Sequence, residues 1–183
     1  MQISRRKMMG GALAFASLGN ATAAAPTATE QAQARTAFAF EAYVTVDKPL
    51  VVGTSARGLR RVVPITGGTV KGPKLNGRVV PGGADWQVVR PDDVLDVEAK
   101  YTLEADDGTL IMVTNIGVRH GPKEIIDKMA RGEPVDATQY YFRTAAQFEA
   151  PNDSKHAWLN RSVFIGVAER KAAAAIIRFY EVL

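Results

Sequence analysis

Asp85 directly precedes Trp86, and four later segments also carry polar or amphipathic side chains within apolar patterns. Tyr101 falls on the apolar face shared by Val97, Ala99 and Leu103. Asn115 shares a face with Ile111 and Val113, Tyr141 with Arg143 and Ala145, and Trp158 with Asn160. If these faces point into one hollow, they gather a carboxylate, a guanidinium, two amides and several aromatic rings. A buried charge is costly unless paired, so Arg143 then needs Asp85, Glu149 or an anionic ligand. The set suits a small aromatic or amphipathic carboxylic acid. Arg143 clamps the anion with two donors, Trp86, Tyr141 and Trp158 cover the apolar body, and Asn115 and Asn160 orient it. The chemistry within reach is a cofactor-free lyase or isomerase step, such as decarboxylation or intramolecular addition. Asp85 or Tyr101 moves the proton and Arg143 stabilises the anion. Two other readings use the same residues. One is a non-catalytic binding or carrier protein; the other is a structural ion pair, Asp85 to Arg143, closing a barrel whose aromatics are ordinary core.

Most other chemistry is disfavoured. The chain has no cysteine, which removes thiolate nucleophiles, disulfides, zinc–thiolate sites and iron–sulfur clusters. It has no G-x-S-x-G elbow. Gly67-Gly68 and Gly82-Gly83 open no helix, so they cradle no phosphate and read as turns or bulges. His120 and His156 stand 36 positions apart without metal-ligand spacing, and Asp92-Asp93 and Asp106-Asp107 sit in turn chemistry. No metal and no cofactor is expected.

The elements that must hold these residues are mostly strands. Between Gly58 and Trp86 seven glycines and three prolines interrupt short apolar pieces, which suits bent strands better than helix. A strand from Phe38 to Val46 precedes a turn at Asp47-Lys48-Pro49. Short strands follow over 59–65, 77–80 and 85–90. The runs 95–105 and 110–117 flank Asp106-Asp107-Gly108 as a hairpin. The first of these alternates Val97, Ala99, Tyr101 and Leu103 against Glu98, Lys100, Thr102 and Glu104, the mark of a half-buried strand. One helix is predicted over 122–131, with Pro122 in its first turn, an apolar stripe of Ile125, Ile126 and Met129, and Gly132 beyond its end. Strands are predicted over 140–149, 157–168 and 173–182. Closure best protects the edges of so many antiparallel strands. The fold class is therefore all-β, a single antiparallel barrel with one short helix over an end.

Three segments follow along the chain. Residues 1–25 carry a basic start, a mild apolar stretch and Ala21-Thr22-Ala23, which is export-signal logic, and Arg5-Arg6 gives it a twin-arginine character. Residues 26–35 read as a mobile leader and residues 36–183 as the barrel domain. Removing 1–25 takes away Arg5, Arg6 and Lys7 and no acid. Lys+Arg falls from 23 to 20 against 19 Asp+Glu, and the net charge from +4 to +1. The expected setting is the periplasm. The expected partner is a small-molecule ligand, with no nucleic acid, no membrane after signal cleavage, and a possible homodimer.

The segments RRVVPITGGTVKGPKLNGRVVPGGADW, YTLEADDGTLIMV, YYFRTAAQFEA, WLNRSVFIGV and the terminal FYEV, in that order, resemble the uncharacterised protein family 0311. The same family is catalogued as domain of unknown function 3237. The resemblance runs from about Phe38 to Val182. It implies a lipocalin-like antiparallel β-barrel and no settled activity.

Overall fold

The computed structural model describes residues 33–183. The export signal expected over 1–25 lies outside them, as does most of the 26–35 leader. The described chain forms strands β1 (Thr36–Val46), β2 (Leu50–Ser55), β3 (Gly58–Lys71), β4 (Gly77–Val89), β5 (Leu95–Ala105), β6 (Leu110–His120), β7 (Tyr141–Glu149), β8 (Phe164–Lys171) and β9 (Ala174–Val182). One helix, α1 (Lys123–Ala130), joins β6 to β7. All pairings are antiparallel, in the order β1-β9-β8-β7-β6-β5-β4-β3-β2, and a further β1–β3 pairing closes the sheet. Eight strands make the barrel, and β2 hangs on β3 outside the ring.

Closure depends on the length and bending of β3. Its first half pairs with β2, from Leu50↔Val62 to Ser55↔Gly58. Its second half pairs with β1, from Val46↔Ile65 to Glu41↔Lys71. Within the second half, Gly67 and Gly68 adopt φ of 140° and 142°, and the β3–β4 register slips between Pro64 and Gly68. A Cβ at Gly68 would collide with the Tyr43 carbonyl, so only glycine lets β1 approach there. The short strands expected over 59–65, 77–80 and 85–90 are thus parts of two long bent strands, because bulges absorb glycines that read as breaks. Strand β2 is absent from the sequence reading: Leu50-Val51-Val52 does not alternate, and all three are exposed.

Alternation then sorts the core. On β5, Leu95, Val97, Tyr101, Leu103 and Ala105 are buried as the pattern predicts. At the end where β1 begins and β9 finishes, Phe40, Phe148, Phe164 and Phe179 interlock with centroid separations of 4.9–5.5 Å. Leu103, Ile111, Val70 and Val79 belong to the same buried cluster. Each such side chain contributes about 1.5–3 kcal/mol by leaving water. Helix α1 follows Pro122, carries Glu124 in its first turn and Lys128 in its last, and buries Ile125 and Met129. Residues Ala157–Arg161, expected to be strand, form a 3₁₀ turn instead, and β8 starts only at Phe164. No described helix is long and apolar enough to cross a membrane.

Candidate functional site

Opposite the phenylalanine end, the inward side chains become small or polar. Asp85 on β4 lies between Val63 of β3 and Ala99 of β5. Ala99 faces Asn115 of β6, which faces Ala146 of β7. Tyr101 sits one inward step deeper than Ala99. Thr144 of β7 packs over Gly117 and Gly166, where any Cβ would strike it. These small neighbours leave a cavity lined by Asp85, Tyr101, Asn115 and Thr144 among aliphatic side chains and Phe142. A water's centre has about 50 Å³ to move in, within about 430 Å³ of atom-free space that opens to solvent. At about 10–15 Å³ per water, this holds roughly four waters or a small head group.

The polar atoms here are not consumed by the fold. Tyr101 Oη, Asn115 Oδ1 and Thr144 Oγ1 are buried without a hydrogen-bond partner. Buried polar groups in folded proteins are nearly always paired, so three such atoms around one cavity need a reason. Asp85 is better supported: Gln87 donates from Nε2 to Oδ2 at 2.6 Å, and the Glu98 N–H donates to Oδ1 at 3.0 Å. Burial nevertheless holds the Asp85 carboxyl above the usual carboxylate range and outweighs those two bonds. Burial, together with the charge of Asp85, also raises the Tyr101 phenol, which stays protonated and can donate.

An arginine rim stands above the cavity. Arg61 of β3 donates from Nε to Gln87 Oε1 at 2.6 Å. Arg119 of β6 lies over the Phe142 ring at 5.8 Å, and its Nε is buried with no partner. Arg170 of β8 donates to the Ala174 and Ala172 carbonyls at 2.9 and 3.0 Å. Burial, then the charges of Arg61 and Arg170, pulls the Arg119 guanidinium down to about 10, so it remains charged at neutral pH.

The structure brings together three of the residues singled out from sequence, Asp85, Tyr101 and Asn115, and places the others elsewhere. Arg143 and Tyr141 are on the outer face of β7, whose buried face is Phe142, Thr144, Ala146 and Phe148. Both faces of that strand alternate cleanly, and the one with two phenylalanines wins the interior. The Arg143 guanidinium rests 5.2 Å from the Tyr141 ring and donates to the Phe142 carbonyl at 2.9 Å, so it makes neither an ion pair with Asp85 nor a clamp inside the barrel. Trp86 is on the outer face of β4, 41% exposed, beside Arg60, Glu98 and Lys100. Trp158 and Asn160 are on the 3₁₀ turn at the phenylalanine end. Trp158 packs 5.7 Å from Phe164, and Asn160 secures the turn through the Ala150 N–H at 2.7 Å and the Ala150 carbonyl at 2.9 Å. Gln87, Thr144, Arg119 and Arg170 escape the sequence reading, and Arg61, which shares a face with Val63 and Ile65, reads there as part of a wet rim with Arg57 and Arg60. Arg119 had a visible signal: it continues the Ile111, Val113, Asn115 alternation.

A family model described as "Protein of unknown function (DUF3237)" matches residues 34–182. A UPF0311 protein of Rhodopseudomonas palustris is 44% identical over 131 residues, which is 72% of this chain and 85% of that protein. A solved structure of a conserved protein of unknown function from the same organism aligns with a TM-score of 0.78 at 40% identity. That alignment covers 82% of this chain and 98% of the other. A β-barrel-like protein of Acinetobacter baumannii gives a TM-score of 0.72 at 37% identity, covering 82% and 97%. The fold extends to a protein of Penicillium herquei described as an enzyme, with a TM-score of 0.62 at 19% identity, covering 88% and 100%.

Proposed function

The chain belongs to the uncharacterised UPF0311 (DUF3237) family of β-barrel proteins, and from that premise we propose that its polar end binds the head of a small aromatic or amphipathic carboxylic acid. The observation that carries this reading is the trio of unpartnered buried atoms, Tyr101 Oη, Asn115 Oδ1 and Thr144 Oγ1, gathered beside Asp85. A barrel filled only for stability gains nothing from leaving them unpaired, at a cost of about 1–3 kcal/mol each. The cavity admits a head group, and the rest of the ligand extends toward Arg61 and Arg119, which take the anion-holding role that Arg143 cannot fill.

The same set supports a cofactor-free lyase or isomerase. Asp85, whose carboxyl burial holds above the usual carboxylate range, is the proton donor, and the neutral Tyr101 phenol donates a hydrogen bond to developing negative charge on oxygen. In a decarboxylation, the bond to the carboxylate carbon breaks and its electron pair stays on the substrate. Carbon dioxide leaves and Asp85 delivers a proton to the carbanion. In an intramolecular addition, the substrate's own hydroxyl oxygen bonds to one carbon of a C=C bond as its π bond breaks, Asp85 protonates the neighbouring carbon, and the Asp85 carboxylate then takes up the hydroxyl proton. The export signal over 1–25 supports a periplasmic setting for this chemistry.

Saturation-transfer NMR with benzoate and 4-hydroxycinnamate tests the binding, with mass spectrometry following the acid. We expect saturable binding that Asn115→Leu weakens at least about tenfold, because the leucine fills the cavity and removes the acceptor. Equal binding to the wild type and Asn115→Leu contradicts the proposal. An acid recovered unchanged selects carriage over catalysis.

A further inference from the structure

We infer that the ligand of this cavity carries a second acidic group, read at the rim by Arg61, Arg119 and Arg170, so that the preferred class is a dianion such as a dicarboxylate. The inference rests on the cavity being a ligand site and adds what the ligand must present outside it.

Three inward-facing arginines share this end of the barrel, and none of them makes an ion pair among the described residues. The contrast within the molecule is Arg178, which is more exposed than the three and nevertheless bridges Glu41 at 2.9 Å and Glu169 at 2.5 Å. Each rim arginine is within electrostatic reach of the others: Arg61 and Arg170 both act on Arg119, and Arg61 acts on Arg170. Gathering like charges where water is partly excluded is unfavourable unless an anion offsets them. Among the described residues the single carboxylate facing them is Asp85, which reaches Arg61 through Gln87. With Asp85 ionised, three positive charges face one negative charge, an excess of two; with Asp85 protonated the excess is three. One carboxylate on the ligand leaves the rim undersaturated, whereas two match it.

The donors suit such a task. Arg61 spends Nε on Gln87, which leaves its two terminal nitrogens for a planar anion. Arg119 lies over the Phe142 ring, and its buried Nε has no partner among the described residues. Arg170 is tied to the β8–β9 turn carbonyls and contributes mainly fixed charge. Planar, weakly hydrated guanidinium groups are well matched to bidentate carboxylate contacts.

Isothermal titration of the full-length protein with matched pairs, benzoate against benzene-1,3-dicarboxylate and butyrate against succinate, tests the inference at constant ionic strength. The dianion of each pair is expected to bind at least about tenfold tighter, as one extra charge-assisted contact warrants. Its affinity should also fall more steeply with added salt. Arg119→Gln should remove most of that preference, weakening the dianion by at least about tenfold more than the monoanion, and Arg61→Gln should do the same independently should one variant fold poorly. Monoanion binding with no gain from the second acid overturns the inference and leaves the cavity reading standing. So does a dianion preference that survives both substitutions. Failure of every acid to bind the wild type brings down the cavity reading and the inference with it.

Discussion

At one end of the barrel Phe40, Phe148, Phe164 and Phe179 fill the interior edge to face, while at the other Asp85, Tyr101, Asn115 and Thr144 border open space, the last three with polar atoms unpaired. The same strands build both ends under the same two-residue alternation. On β7, Phe148 and Thr144 are inward residues only four positions apart; on β6, Ile111 and Asn115 are likewise. Stability and the candidate site are therefore divided along the barrel axis. The dry end gains free energy by burial, and the polar end spends some of it on desolvated charge. Changes at the first should unfold the protein, and changes at the second should alter recognition or pH response while sparing the fold.

The largest effect is expected at the dry end. Phe179→Ala removes a fully buried ring that touches Phe40 and Phe148, and should cost about 3–5 kcal/mol in urea unfolding. A loss below about 1 kcal/mol contradicts the assignment of stability to that cluster.

An intermediate effect, visible as pH dependence, is expected at Asp85. Its carboxyl titrates above the ordinary range in the fold, so the native state favours the protonated form. The resulting stabilisation is complete below the ordinary carboxylate range and is lost as pH rises through the raised value. Asp85→Asn abolishes that titration, so the stability of the variant relative to wild type should climb from pH 3 and level off once Asp85 is fully ionised. The hydrogen-bonded Glu169 and Glu181, whose carboxyls titrate low, are present in both proteins and cancel in the difference. A flat or falling difference contradicts a desolvated Asp85.

The smallest effect is expected at Arg143. Its outward side chain makes no ion pair among the described residues, so Arg143→Ala should move stability by no more than about 0.5 kcal/mol and leave acid binding unchanged. A loss of binding comparable to that of Arg119→Gln would reverse the assignment of the two faces of β7.

This contrast also explains how much of the molecule is legible in the residues. Strand β5 is plain because its polar and apolar faces differ completely, and Tyr101 and Asn115 follow from the same rule on β5 and β6. Strand β7 is ambiguous: Tyr141-Arg143-Ala145 and Phe142-Thr144-Ala146 each offer an aromatic and a polar residue, and the deciding Phe148 comes at the strand's far end. Trp158 and Asn160 depend on a 3₁₀ turn that local pattern does not distinguish from strand. Arg61 reads as a wet rim residue among Arg57 and Arg60 until closure brings Arg119 and Arg170, 58 and 109 positions further on, to the same side of the barrel. Contacts set by closure have no local signature.

Backbone amide shifts during titration with benzoate test the division between the two ends most directly. Saturable shifts confined to the polar end, at Arg61, Asp85, Tyr101, Asn115, Arg119 and Thr144, with Phe40, Phe164 and Phe179 silent, are the predicted result. Shifts centred on Trp86 and Lys100 of the outer face, or none at any concentration, would contradict it.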